Sequence, residues 1–223
     1  MAVRQASDLQ LKKQPRQARS RATVEAICDA AARLMQDEGY AAVTTNRVAE
    51  RAGVSVGSLY EYFPNKQSIV AATLGAALRD IVAGIGRSLH EALALPDQPR
   101  AGIDHWIRAI VAALESRAGL LRVALSEVPF LGEIPEARGL SQALEQIVRK
   151  GRDKSAGVVR LYDPEASAWL LTSMVWTAMQ QIAMQRPDHL SRERLIGALV
   201  EMVLRQLYDA PEAEAPSVRE SGN

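Results

Sequence analysis

Apolar residues recur every three to four positions along most of this chain, the period of a helix with one buried stripe. The first such stretch spans residues 18–37, where Val24, Ile27, Ala31 and Leu34 share a face and Gly39 ends the run. A more broken stretch follows over 42–63. Pro64 and Asn65 then punctuate, and Asn65 can cap a long helix over 66–93. Its apolar side holds Ile69, Thr73, Leu78, Ile81, Val82, Ile85 and Leu89. After Pro96 and Pro99 the pattern predicts helices over 100–117, 119–128 and 135–150, then a glycine-containing loop over 151–162. Asp163 and Pro164 make a helix start, with Asp as N-cap and Pro at the first helical position. That helix is predicted to reach residue 185, with Pro187 ending it, and a last helix is predicted over 188–208. The pattern shows neither a strand nor an internal repeat.

The expected fold is therefore all-α: an N-terminal three-helix domain over 18–65, and a C-terminal domain of about six helices over 66–209. A basic arm over 1–17 and a Pro-, Glu- and Ser-rich tail over 210–223 are expected to lack structure. Composition agrees. Of 223 residues, 48% are apolar and only 4% aromatic, which suits helices packed through small side chains. No apolar run approaches the roughly 20 residues that span a bilayer. The polar start has no apolar signal core, so a cytoplasmic location is expected. Cys28 is the single cysteine and has no disulfide partner within the chain, which fits a reducing compartment. Net charge is only +1, but residues 1–21 set Arg4, Lys12, Lys13, Arg16, Arg19 and Arg21 against Asp8. Such an arm is either a solvated leader or a segment that follows phosphates or enters a minor groove.

The stretch from Ala42 to Lys66 reads AVTTNRVAERAGVSVGSLYEYFPNK. Thr44 or Thr45 can cap a short helix with Asn46, Arg47, Glu50 and Arg51 on its polar side. Val48, Ala49 and Ala52 form its apolar side. Gly53 suits a tight turn that needs positive φ, and Val54 is placed to plug the core. Ser55 can cap a second helix, with Leu59 and Phe63 inward and Val56, Gly57, Ser58, Tyr60 and Tyr62 outward. That outward set is small at one end, hydroxyl-rich and aromatic at the other, and nearly uncharged. It suits a DNA major groove: glycine allows close approach, valine meets a thymine methyl, and hydroxyls reach phosphates or base edges. Lys66 is placed to meet a phosphate together with the N–H groups that open the next helix.

Four pieces of residues 18–74 carry a family resemblance: ICDAAARLM, EGY-x-x-x-T, VAERAGVS and SLYEYFPNKQSIV. The segment closely resembles the DNA-binding domain of the tetracycline-repressor (TetR) family, and the last piece is the most specific. The resemblance implies a transcription repressor with a helix-turn-helix. It puts Thr45, Asn46, Val56, Gly57, Ser58, Tyr60, Tyr62 and Lys66 on positions that often touch DNA. Asn46 and Val56 are then candidates for sequence choice, and positive charge for DNA is expected from the flanks: the arm, Arg47 or Arg51, and Lys66. A palindromic operator read by two domains one helical turn apart requires a homodimer. The resemblance implies that the last two helices build that interface, and Trp176, Met179, Ala183, Leu199, Met202 and Val203 are the candidates. It also implies a small, largely apolar effector in the C-terminal domain. Trp106, Ile110, Leu125, Phe130, Leu144 and Met174 are candidate lining residues, with ordinary core packing the alternative for each. Phe130, in a Pro- and Gly-containing stretch, is expected in a lid. His90, His105 and His189 are scattered, and no Gly-rich phosphate loop or nucleophile elbow is present. No enzyme activity, cofactor or metal site is expected. An activator or a ligand-independent DNA-binding regulator of the same fold is the remaining alternative.

Overall fold

Asn65 and Asp163 cap helices where the sequence signals them. In a computed structural model, which describes residues 9–95, 98–139 and 163–208, eight α-helices carry the fold. They are α1 (Ala18–Glu38), α2 (Thr45–Ala52), α3 (Val56–Tyr62), α4 (Lys66–Leu93), α5 (Pro99–Glu115), α6 (Ala118–Glu127), α7 (Pro164–Met184) and α8 (Arg192–Tyr208). Residues 135–139 are also helical, and no strand occurs among the described residues. The Asn65 side chain accepts the Ser68 N–H at 2.7 Å while the Ser68 hydroxyl accepts the Asn65 N–H, so α4 starts on a reciprocal cap. Asp163 accepts the N–H groups of Glu165 and Ala166, and Pro164 takes the first helical position of α7.

Two expectations need correction. The last helix begins at Arg192, not near residue 188. Residues 187–190 form a turn, and the Ser191 hydroxyl accepts the Arg194 N–H at 3.3 Å, supplying the N-cap. The arm is not unstructured throughout: from Leu9 onward it lies against the N-terminal domain, with Leu9 buried in its core. α4 reaches a mean hydropathy of 1.6 over an 18-residue window, although Arg79 and Asp80 interrupt its apolar sequence. That window is 56% buried within the protein, because α4 lies between other helices on several sides. Leu144, the remainder of the 135–150 helix, the 151–162 loop and the 210–223 tail lie outside the described residues.

The apolar side chains gather in two clusters. The N-terminal cluster joins α1, α2 and α3 to the first half of α4, and also takes in Leu120 and Ala124 of α6 with Val128, Phe130 and Ile134 beyond it. The second cluster joins the other half of α4, from Leu78 to Ile85, with α5, α7 and α8. α4 is therefore a beam common to both cores. A chain of ion pairs ties the start of α8 to α5: Asp104 to Arg108, Arg108 to Glu193, Glu193 to Arg192, and Arg192 to Glu115.

Candidate nucleic-acid interface

α2 and α3 form a helix-turn-helix whose geometry follows from three small residues. The Thr44 hydroxyl, not that of Thr45, accepts the Arg47 N–H and caps α2. Gly53 adopts φ +67°, and its N–H closes onto the carbonyls of Ala49 and Glu50. A side chain at that left-handed position would cost about 1 kcal/mol or more. The Ser55 hydroxyl accepts the Ser58 N–H at 3.0 Å and caps α3. Leu59 and Phe63 are fully buried, which fixes the roll of α3 on the domain.

That roll exposes Val56 (40%) and Tyr60 (41%), with Gly57 and Glu61 also exposed and Ser58 partly covered. Tyr60 is held in place, because its hydroxyl lies 3.2 Å from the Thr45 hydroxyl on α2. Asn46 is exposed on α2. Tyr62 does not face outward as expected; it is only 8% exposed and belongs to the core. Tyr62 follows Leu59 by three residues, which puts it at the edge of the buried arc, and the surrounding core closes over it. The outer face also carries the Glu61 carboxylate, so it is less neutral than the sequence suggested.

The cations near this face are largely engaged. Arg47 pairs with Glu38 at 2.6 Å and donates to the Ala42 carbonyl, and Arg51 pairs with Asp37 at 2.7 Å. The hydrogen bond from Arg47 lowers the Glu38 pKa below the usual carboxylate range and raises that of Arg47. Both pairs stand in solvent and contribute little stability. Their effect is to pin α2 to the end of α1. The Lys66 ammonium sits 4.1 Å from the centroid of the Tyr40 ring and 3.5 Å from the Tyr40 carbonyl. Tyr40 also links the two domains. Its N–H donates to Glu127 of α6 at 2.8 Å, and its ring meets Phe130 edge-on at 6.1 Å.

The candidate effector residues do not share one cavity. Ile110 is buried and Trp106 partly buried in the C-terminal core. Phe130 is fully buried, but in the N-terminal core beside Tyr40; it is a packing residue and not part of a lid. Leu125 is 56% exposed, and Met174 is exposed too, so neither lines an internal cavity. Among the described residues, the Trp106 indole Nε1 is the buried side-chain polar atom with no hydrogen-bond partner.

The candidate interface residues divide in a similar way. Met179, Leu199 and Val203 are buried in the subunit's own core, and Trp176 and Ala183 are partly buried. Met202 is 61% exposed. It lines an open apolar groove of about 720 Å³ between α7 and α8, with Leu170, Met174, Val175, Leu195 and Leu199. Trp169 and Leu170 are also exposed on α7. α7 is apolar around most of its girth, which requires cover on both sides.

Comparison with known proteins agrees with this architecture. The family model described as "Bacterial regulatory proteins, tetR family" matches residues 27–73, and "Tetracyclin repressor-like, C-terminal domain" matches residues 99–207. The chain is 38% identical over 87 residues to the HTH-type transcriptional regulator BetI of Burkholderia thailandensis, spanning 39% of this chain and 41% of that protein. It is 42% identical over 62 residues to the HTH-type transcriptional repressor KstR of Mycolicibacterium smegmatis, spanning 28% of this chain and 30% of that one. These alignments thus span less than half the length of the curated relatives. In fold, the chain is similar to a TetR-family regulator from Mesorhizobium loti, with TM-score 0.65 and 20% identity over 84% of this chain and 98% of that one. It is also similar to the fatty acid degradation regulator FadR from Bacillus halodurans, with TM-score 0.58 and 18% identity over 86% and 96%. With the capped helix-turn-helix, the exposed face of α3 and both family domains in register, the chain belongs to the TetR family of DNA-binding transcriptional regulators.

Proposed function

We propose that this chain is a homodimeric repressor that holds a palindromic operator and releases it when a small, largely apolar effector enters its C-terminal domain. The observation that carries this reading is the apolar face of α7 and α8. Trp169, Leu170, Met174 and Met202 stand exposed beside an open groove, rimmed by Gln181, Gln185, Arg186 and Gln206. An apolar patch with a polar rim marks an interface. A second copy of the same helix pair covers it and makes a four-helix contact. Twofold symmetry then sets two α3 helices on one face of the DNA, about 34–36 Å apart.

On each half-site, α3 enters the major groove. Val56 and Asn46 meet base edges, and Gly57 allows the close approach. Thr45, Ser58 and Tyr60 bond phosphates, as does Lys66 with the opening N–H groups of α4. Arg47 holds α2 in position through Glu38. A cytoplasmic location follows from DNA as the partner. The repressor role is supported by the similarity to KstR, which is named as one. The effector reading is supported by Trp106, whose unpartnered indole N–H sits beside the apolar core containing Ile110. A ligand acceptor bonding that N–H would favour one domain arrangement over the other. α4, common to both cores, carries the shift to the reading heads, provided the ligand binds the two states with different affinity.

The test is sedimentation of the full chain together with DNA retrieved by binding selection. The expected result is a dimer that protects a sequence with twofold symmetry. A monomer bound to an asymmetric site would refute the reading. Titration with apolar compounds is then expected to release DNA, and Trp106→Phe to blunt the release.

A further inference from the structure

The first described residues, which the helical pattern leaves out, are built into the DNA-reading head. Leu9 is buried in the N-terminal core, and Leu11 packs against the same cluster. Between them and α1, the Lys12 backbone N–H donates to the Tyr62 carbonyl at 2.8 Å. That carbonyl is one of the last four of α3, which have no partner within the helix. The Lys12 ammonium donates to the Tyr60 carbonyl at 3.2 Å and lies 6.0 Å from the centroid of the Tyr60 ring. It thus rests on the same tyrosine whose ring is exposed and whose hydroxyl is tethered to Thr45.

The neighbouring cations make this position informative. Arg47 and Arg51 are paired with carboxylates, whereas Lys66, seated on Tyr40, keeps donors for a phosphate in the same way as Lys12. Lys12 is exposed and, among the described residues, has no carboxylate partner. An ammonium has three donors, and the Tyr60 carbonyl uses one, so two remain for a phosphate.

We infer that residues 9–12 form a folded strap of the DNA interface, in which Lys12 supplies a phosphate-binding cation beside Tyr60 and Leu9 sets its place. The inference rests on the reading that α3 docks on DNA. The strap differs from a disordered basic arm in its cost of binding: its backbone is ordered before DNA arrives, so less conformational entropy is lost on association. It also ties charge to the reading helix, so the cation moves with α3. The competing role for Lys12 is purely local, a cation that stabilises the C-terminal end of α3. Salt dependence separates the two, because only a phosphate contact releases counterions from DNA.

The experiment measures the affinity of the full-length protein for a 30-base-pair duplex of mixed sequence across a sodium chloride series. Lys12→Met keeps the stem and removes the charge. Loss of one phosphate contact in each of two subunits is expected to reduce the log–log salt slope by about 2, since each contact contributes about 0.9. Lys12→Arg is expected to restore the slope. Leu9→Ala is expected to reduce it with Lys12 still present. In wild-type protein, addition of the duplex is expected to protect Lys12 from an amine-acetylating reagent, read by mass spectrometry. A Lys12→Met variant with wild-type slope, or Lys12 acetylated equally with and without duplex, would overturn the strap. Wild-type protein with no salt-dependent binding would instead overturn the docking of α3, and this inference with it.

Discussion

Among the described residues, α3 and the α7–α8 pair both expose large apolar side chains, and the two surfaces are built differently. On α3, Val56 and Tyr60 stand apart, with Gly57, Ser58 and Glu61 among them and the Tyr60 hydroxyl already bonded to Thr45. On α7 and α8, Leu170, Met174 and Met202 border one open groove with a nearly continuous apolar lining, and Trp169 is exposed on the same helix as Leu170. Behind α3 the core is closed, down to the fully buried Phe63 and Phe130. The groove between α7 and α8 is open. A partner rich in phosphates and base edges suits the first surface, since its polar atoms replace water one for one. A second apolar face suits the second, since only removal from water stabilises such contact.

The largest effect is expected where the closed core is opened. Phe130→Ala removes a fully buried ring that joins α6 to the reading head through Tyr40, and should lower unfolding free energy by about 3–5 kcal/mol. Chemical denaturation measures it, and a loss under about 1 kcal/mol would show that the core behind α3 is not closed. Met202→Asp places a charge on the exposed groove instead. Folding stability should barely change, whereas the dimer should weaken and operator affinity fall on the order of a hundredfold as the second half-site is lost. Sedimentation and gel shifts would show it; an unaltered dimer would send the partner to another surface.

Gly53→Ala acts on the turn and not on either surface. At φ +67° it should cost about 1 kcal/mol, read as a lower melting temperature, with wild-type DNA preference retained. Cys28 sharpens the contrast chemically. Burial between α1 and α4 pushes its pKa up from 9.0 to about 11. Its neutral form is favoured by folding, so that contribution is intact below pH 9 and fades as pH rises through 11. At pH 8 the native thiol should resist alkylation and the unfolded thiol should react; rapid native labelling would contradict a closed core. The smallest effect is expected from Glu38→Gln. Its carboxyl pKa is depressed in the folded state by Arg47, so any stabilisation is present above the ordinary carboxylate range and is lost as pH falls through the depressed value. Wild type and variant should therefore differ slightly in melting temperature at pH 7 and converge in acid.

Much of the helical plan is legible from local chemistry. Asn65, Asp163 and Pro164 mark helix starts because their side chains or missing N–H act on adjacent backbone. Gly53 marks the turn because few other residues tolerate its φ. The start of α8 is less legible: the turn at 187–190 and the cap at Ser191 compete with a helix start at Asp188. Among site residues, Val56 and Tyr60 are exposed as the pattern expects, and Tyr62 is not. With period 3.6, Tyr62 falls near the border of the buried arc, and only the neighbours that close over it settle which side it takes. Phe130 is missed for a related reason. Its local sequence resembles a loop, and its burial comes from Tyr40, ninety positions earlier in the chain.

By itself the sequence determined helix placement, the capped turn between α2 and α3, and the family motif, because each is written in residues close together along the chain. Tertiary structure alone decided how the cations beside α3 are held. Arg47, Arg51 and Lys66 are engaged by Glu38, Asp37 and Tyr40, whereas Lys12 reaches Tyr60 across a separation of 48 residues. It also decided that α4 serves two cores and that one face of α7 and α8 is left open. The physical reason is that burial and charge pairing depend on what the rest of the chain brings near, and the helical period alone does not record it.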